Sequence, residues 1–395
     1  MPDIKCTILR WARETSKLSI EEAAKKLNLK DTNKASAVDK LIALEKGERE
    51  PTRALLLQMS KQYHRPLLTF YLNEPPKIGD RGEDFRTLPN DLEEAENIYV
   101  DILIRDIKAR QSTVRETLID EDEGLHLDFI GKCTIDQGAL SVVQTIRDTI
   151  GVNLDEYRGK PNHKEAFKFL RQQIEKARVF VLLKGNLGSY HTNIAVTAFR
   201  GFALADDIAP FIIINDRDAE AAWSFTMIHE MAHLALGQTG ISGAYAEKEV
   251  EKFCNDVASE FLLQDKEFHA FRPSTLDFEH LKLEISNYAF SKKVSNSHIA
   301  YRLYRRKDIE KSLWERLRYY YREKWLDQRR IIREENKKKD IRLDPYKIKQ
   351  YKLGALTEVV QRLTYSGALT TTKAGMLLDV RPLKVHRLFQ KKQLT

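Results

Sequence analysis

Between Asp218 and Gly237 the chain reads DAEAAWSFTMIHEMAHLALG, a run with helical composition that is apolar on nearly every side. A helix that is hydrophobic all round belongs in an interior. Yet this one carries two histidines and a glutamate, in the order His229-Glu230-Met231-Ala232-His233. Any fold of this chain must bury that helix and answer its polar groups, because buried polar groups without partners are costly. Histidines four residues apart lie on one face, one turn apart, so both imidazoles can reach a single metal ion. Glu230 is displaced around the helix and reaches instead for a water on that ion, as a general base. A chance occurrence on a surface helix is the plain alternative, and the apolar flanks AAWSFTMI and LALG argue against it.

A catalytic metal wants a third protein ligand and one open position. The next helical stretch, EKEVEKFCNDVASEFLLQ, has its apolar stripe at Val250, Phe253, Val257, Phe261 and Leu262. Glu249, Asp256 and Glu260 fall on the opposite side, whereas Glu247, Glu251 and Cys254 lie on or beside the stripe. Glu251 is favoured and Glu247 is the runner-up. Cys254 reads as a small buried hydrophobe. Asn255, one turn after Glu251, is placed to orient the site from outside the ligand set.

The rest of the chain frames this segment. A length of 395 residues suggests two or three domains. No apolar stretch approaches a membrane span, and MPDIKCTILRWARE does not read as a signal peptide. Three scattered cysteines fit a reducing cytoplasm and argue against a disulfide framework. The expected fold class is mainly α with a small, largely antiparallel sheet (α+β). Residues 1–75 read as five short helices in a helix-turn-helix (HTH) arrangement, with a Ser19/Glu22 capping box and Pro51 restarting a helix. Residues 76–130 read as a linker, NEPPKIGD, an extended DFRTLP and a long helix. Residues 131–265 hold the metal helices and the strand runs ARVFVLLKG, AFRGFALAD and APFIIIND, the last two joined as a hairpin. A basic helical region (266–345) and a small HTH-like helical segment (346–395) follow.

Smaller signals accompany these. Tyr190 and His191, in GNLGSYHTN, are candidates for stabilising an oxyanion. Gly201 leaves room for an extended peptide to pair with its strand. In the N-terminal unit Asn33, Lys34, Ser36 and Lys40 are the candidate DNA contacts, although the loop LKDTNKAS is long for a compact turn. Lys373, Arg381, Lys384 and Arg387 invite a similar reading near the C-terminus. The net charge of +8 permits nucleic acid as a partner. YRLYRRKDIEK, DQRRIIREE and NKKKD read equally well as solvated helix faces.

FRGFALADDIAPFIIIND, AAWSFTMIHEMAHLALGQTGISG and EVEKFCNDVASEFLL together resemble the ImmA/IrrE family of metallopeptidases. Val257 stands where the family has an aromatic, and Gln264 near where a Met-Pro ends the helix. LSIEEAAKKLNL, LEKGEREPT and RPLLTFYLNEPP resemble the Xre/Cro-like HTH domain fused to such peptidases. The two resemblances span most of residues 5–265. They imply one zinc per chain, with manganese as the alternative, Glu251 as third ligand and Glu230 as base. They also imply a narrow protein substrate, a small HTH repressor or antitoxin, and a setting in stress, mobile elements or phage defence. Double-stranded DNA is a second partner, through residues 1–75. The alternative function is a DNA-binding regulator or toxin–antitoxin component whose zinc site is structural or sensory.

Overall fold

The computed structural model describes residues 4–14, 16, 18–32, 35–63, 65, 67–71, 94–238, 244–338 and 344–390. The extended DFRTLP and the linker NEPPKIGD lie outside them, as does most of the loop after Gln238.

The N-terminal unit comprises α1 (Cys6–Glu14), α2 (Ile20–Lys26), α3 (Ala37–Glu45), α4 (Arg53–Gln62) and a closing 3-10 turn, Leu67–Tyr71, where a fifth helix was expected. The Ser19/Glu22 capping box is formed, and a second one joins Ser36 and Asp39. Pro51 does not start α4; Thr52 caps it by accepting from the Leu55 N–H, so proline sits one residue outside the cap. Arg13 grips Glu45 with two bonds of 2.7 and 2.9 Å and ties α1 to α3.

A long helix, α5 (Glu94–Asp120), leads to α6 (Ala139–Ile150), the short α7 (Leu154–Arg158) and α8 (His163–Lys176). Three strands follow, β1 (Phe180–Leu183), β2 (Gly201–Leu204) and β3 (Phe211–Ile214), in the order β1-β3-β2. The β2–β3 hairpin is antiparallel, with Phe202 opposite Ile213. The Asp206 carboxylate closes its turn by accepting from the N–H groups of Ile208 and Ala209. β1 pairs parallel to β3, so the sheet is mixed, whereas a largely antiparallel one was expected. The tight hairpin fixes β2 beside β3, and β1 therefore adds at the other edge. β3, FIII, takes the centre because it is apolar throughout and can be buried on both faces.

Strand alternation divides the interior in two. Phe180, Leu182, Phe202, Phe211 and Ile213 face a core shared with the N-terminal helices, α5 and the last helices of the chain. Val181, Leu183, Ile212 and Ile214 face a second core, built from α6, α8 and the helices after the sheet. Those are α9 (Glu220–Leu236), α10 (Ala244–Leu262), α11 (Asp265–Ala270), α12 (Phe278–Lys292), α13 (Asn296–Arg305) and the long α14 (Lys311–Lys338). Then α15 (Pro345–Leu353), α16 (Ala355–Tyr365), α17 (Thr371–Leu377) and α18 (Val385–Phe389) return to the first side of the sheet. Among the described residues no helix is long and apolar enough to cross a membrane.

The first core encloses an ionic cluster. Lys184 continues the β1 alternation onto this side and meets Asp106 of α5 at 2.7 Å; Arg110 meets the same carboxylate at 3.0 Å. Arg110 also donates to the Leu377 carbonyl at the end of α17. Burial opposes charge on Asp106, but the Arg110 and Lys184 cations outweigh it and hold the carboxyl well below its usual range. Burial pushes the Lys184 ammonium down, against the pull of Asp106.

Candidate metal centre

α9 is the axis of the second core. From Trp223 to Ala235 all but Phe225 are buried, with β2 and β3 on one side and α6, α8 and α10 around the rest. Asn215, fully buried at the end of β3, fixes how the helix is entered. Its amide donates to the Phe199 carbonyl (3.0 Å) and its Oδ1 accepts from the Arg217 N–H (3.0 Å). One side chain thereby joins the approach to β2 with the turn before α9.

The i, i+4 spacing brings the His229 and His233 Nε2 atoms to 3.1 Å from each other. Glu251 meets them from α10, and its two oxygens divide between the rings. Oε2 lies 3.4 Å from His229 and Oε1 lies 3.5 Å from His233. His229 is fully buried and His233 nearly so, while the Glu251 side chain is 22% exposed, so the centre opens to solvent on the Glu251 side. Ligands at ~2.0–2.1 Å around a tetrahedral ion stand about 3.3 Å apart, and the nearest-atom separations between these residues are 3.1, 3.4 and 3.5 Å, with the carboxylate spanning the two rings. Two imidazoles and one carboxylate are the donor set of a borderline-soft divalent cation, and among the described residues no fourth ligand joins them. The residues present therefore fit the metal that the resemblance implies.

Gln238 extends the site. Its Oε1 lies 3.3 Å from His233 Nδ1, so it accepts the hydrogen of that nitrogen and leaves the Nε2 lone pair directed at the centre. Sequence reasoning passed over Gln238, because the helix end at Gly237 hid that the next residue folds back.

Glu230 is fully buried and faces β2. A Cβ at Gly201 would stand 2.7 Å from Glu230 Oε1, 2.5 Å from Thr226 Cγ2 and 3.1 Å from the Ile213 carbonyl. The space left by glycine, expected to serve an incoming peptide, is thus occupied by Glu230 and Thr226 of α9. The strand's backbone remains differently placed. Arg200 accepts from the Asn215 N–H at 2.8 Å, and the register then alternates. The N–H and C=O groups of Phe202 and Leu204 point to β3, and those of Gly201 and Ala203 point outward.

The other candidates are distributed as follows. Asn255 is half-buried one turn beyond Glu251 and, among the described residues, is bonded to none of the three ligands. The side chain of Glu247 lies outside the described residues, as does that of Tyr190. His191 is exposed in the turn Tyr190–Thr192 and is not in the group gathered at the ligand atoms. Cys254 is buried in the second core. Asn33 and Lys34 lie outside the described residues. The Ser36 hydroxyl caps α3, and Lys40 donates to the Lys30 carbonyl at 2.6 Å.

One further histidine supports the metal helices. His298 of α13 reaches Ser259 of α10 at 3.4 Å and lies against the Phe225 ring of α9, centroids 5.1 Å apart. Burial, followed by the Arg302 cation, pushes its pKa down to about 3, so it stands neutral.

Residues 189–304 match the family model of the IrrE N-terminal-like domain, a peptidase family. No curated protein and no solved structure matches the chain. The matched span holds the hairpin, α9 with its two histidines, and α10 with Glu251. The chain carries a metallopeptidase domain of the ImmA/IrrE family.

Proposed function

We propose that this chain is a zinc-dependent, site-specific endopeptidase that cuts a regulatory protein, a small HTH repressor or antitoxin, and so controls transcription in a stress, mobile-element or phage-defence setting. The observation that carries the reading is the convergence of His229, His233 and Glu251 on one point, with Glu230 on the same helix against β2. His229, His233 and Glu251 would hold the zinc, which would supply Lewis acidity and ease deprotonation of an attacking water, whose pKa such an ion lowers from ~15.7 towards ~7. Glu230 takes the proton of the attacking water and holds it on its carboxylate for the departing amine. Gln238 keeps His233 in the tautomer that can serve as ligand. The outward backbone groups of Gly201 and Ala203 supply a rail on which an extended substrate can align by strand addition. A narrow substrate is consistent with a site whose base and histidines are buried rather than lining an open groove.

The test is cleavage of a purified candidate repressor by the metal-loaded protein, beside Glu230→Gln and His229→Ala. Cleavage by the native chain alone supports the reading. An intact repressor with all three proteins, under inducing conditions, counts against it. The second reading, a DNA-binding regulator with a structural or sensory metal, keeps residues 1–75 as its DNA module. It predicts full function in Glu230→Gln provided both histidines remain.

A further inference from the structure

Among the described residues two short helices, α2 and α17, end in a left-handed residue between apolar neighbours. In α2 the sequence is Ala23-Ala24, then Leu27-Asn28-Leu29, with Asn28 at φ +52°. In α17 it is Ala374-Gly375, then Leu378-Asp379-Val380, with Asp379 at φ +53°. The spacing is the same. After Asn28, however, the chain runs from Leu29 to Ser36 before α3 begins. After Asp379 it needs only Val380 and Arg381 before helical structure resumes at Pro382 and runs through α18 to Phe389.

The C-terminal pair is compact for a reason that can be read atom by atom. A Cβ on Gly375 would stand 2.8 Å from the Val380 carbonyl and 3.2 Å from Pro382 N. Only glycine allows the turn to lie against the first helix. Ala374, Leu377, Leu378, Val385, Leu388 and Phe389 are buried and clamp the two helices together. Two helices joined by a turn of three or four residues, with the second exposed along one side, is the geometry that reads a major groove.

The exposed side is basic. Arg381, Lys384, His386 and Arg387 are exposed, and Leu383 is 94% exposed. Arg387 lies over the Tyr346 ring and His386 stacks on Tyr365, which fixes both outward-facing side chains. The acid in the turn, Asp379, is answered by Lys349. From Asp344 to the C-terminus the sequence holds ten Lys and Arg against three Asp and Glu, a net +7 within a chain of net +8. We propose that residues 371–389 are a second helix-turn-helix, whose second helix enters the major groove of duplex DNA with Arg381, Lys384 and Arg387 on phosphates and base edges. Such contacts are salt-dependent, because each phosphate neutralised releases a counterion. The proposal does not depend on peptide cleavage, and Glu230→Gln should bind DNA as the native chain does.

The experiment is fluorescence anisotropy of a labelled mixed-sequence duplex with the full chain over a salt series. The triple variant Arg381→Glu/Lys384→Glu/Arg387→Glu is compared with Arg318→Glu/Arg322→Glu/Lys324→Glu on α14, an equal change of charge at exposed positions elsewhere. The C-terminal triple should weaken binding at least about tenfold and reduce the salt slope by about 3, and the α14 triple should do neither. All substituted residues are exposed and each triple removes cation–ring contacts (Arg387 over Tyr346; Arg318 over Trp314 and Lys324 over Tyr320), so small and similar losses in thermal melting are expected of both. Equal weakening by the two triples, an unaffected C-terminal triple, or no duplex binding by the native chain at low salt would each overturn the assignment.

Discussion

The two sides of the sheet treat buried charge in opposite ways. On the first side Asp106 is answered within the chain, by Lys184 at 2.7 Å and Arg110 at 3.0 Å. On the second, His229, His233 and Glu251 gather one ligand atom each within 4.8 Å of one another, as a metal's ligands would be. The first cluster is complete when the chain folds. Under the proposed function the second is completed by a cation from solution, and its chemistry is what would act on a substrate. The difference follows from residue type: a cluster that includes lysine and arginine neutralises its carboxylate, whereas one of two imidazoles and a carboxylate selects a cation.

The largest expected effect separates chemistry from architecture. Glu230→Gln keeps the shape of the side chain and removes its basicity, so cleavage should fall by about 10²–10⁴-fold. Bound metal and melting temperature should stay as in the native protein. His229→Ala should instead lose the metal itself, measured by atomic emission on the purified chain. If Glu230→Gln cleaved at the native rate, the second side would be a metal-holding structure and the contrast would reduce to two ways of stabilising a fold.

The same contrast is tested from the other side by Asp106→Ala, which strands Arg110 and Lys184 in a largely buried site. Removing one partner of a buried ion cluster costs ~3–5 kcal/mol. Urea denaturation should show that loss with metal content unchanged. The sign of the pH dependence follows from the depressed carboxyl. Its contribution is present above the unfolded value of ~3.9 and is lost as pH falls from there through the lower folded value. The native chain should therefore lose more stability on strong acidification than the variant.

These two clusters were unequally legible in the sequence. His229, Glu230 and His233 sit within one turn of helix, so a local pattern suffices, and the stripe of the next helix narrowed the third ligand to a few residues. The Asp106–Lys184 contact joins residues 78 positions apart across a helix and a strand, and no local period encodes it. The parallel partner of β1 escaped for the same reason, since strand patterning gives faces but not neighbours. Gly201 was noticed for its missing Cβ, yet what fills the gap is Glu230, 29 residues later. The helices themselves were readable because caps and apolar spacing are local; Thr52 displaced Pro51 as the start of α4 because a side-chain oxygen caps better than a proline.

Gly201→Ala bridges the sheet and the metal side. The added methyl would press on Thr226, Glu230 and the Ile213 carbonyl. Overpacking of this kind costs ~1–3 kcal/mol. Because Glu230 is the most flexible of the three neighbours, the strain should appear chiefly as a misplaced base. Cleavage should drop by about 10-fold or more with the metal retained, as a small misplacement of a catalytic group does. A variant that melts earlier but cleaves normally would show that Glu230 tolerates displacement and that β2 does not set its position.

The smallest effect concerns a buried titratable group on the metal side, His298. His298 has its folded pKa depressed to about 3 by burial and by the Arg302 cation, so the folded chain keeps it neutral. The unfolded chain protonates it near pH ~6.5. Below that pH the unfolded state binds a proton that the folded state refuses, and stability falls as pH drops towards about 3, where the folded histidine finally charges. Between pH ~6.5 and ~5 the loss should be about 1–2 kcal/mol. His298→Gln keeps a polar group opposite Ser259 without the titration, so the native-minus-variant stability difference should decline over that interval. A flat difference would mean that His298 is accommodated charged. In that case the metal helices would rest on a compensated cation, as the opposite face of the sheet does.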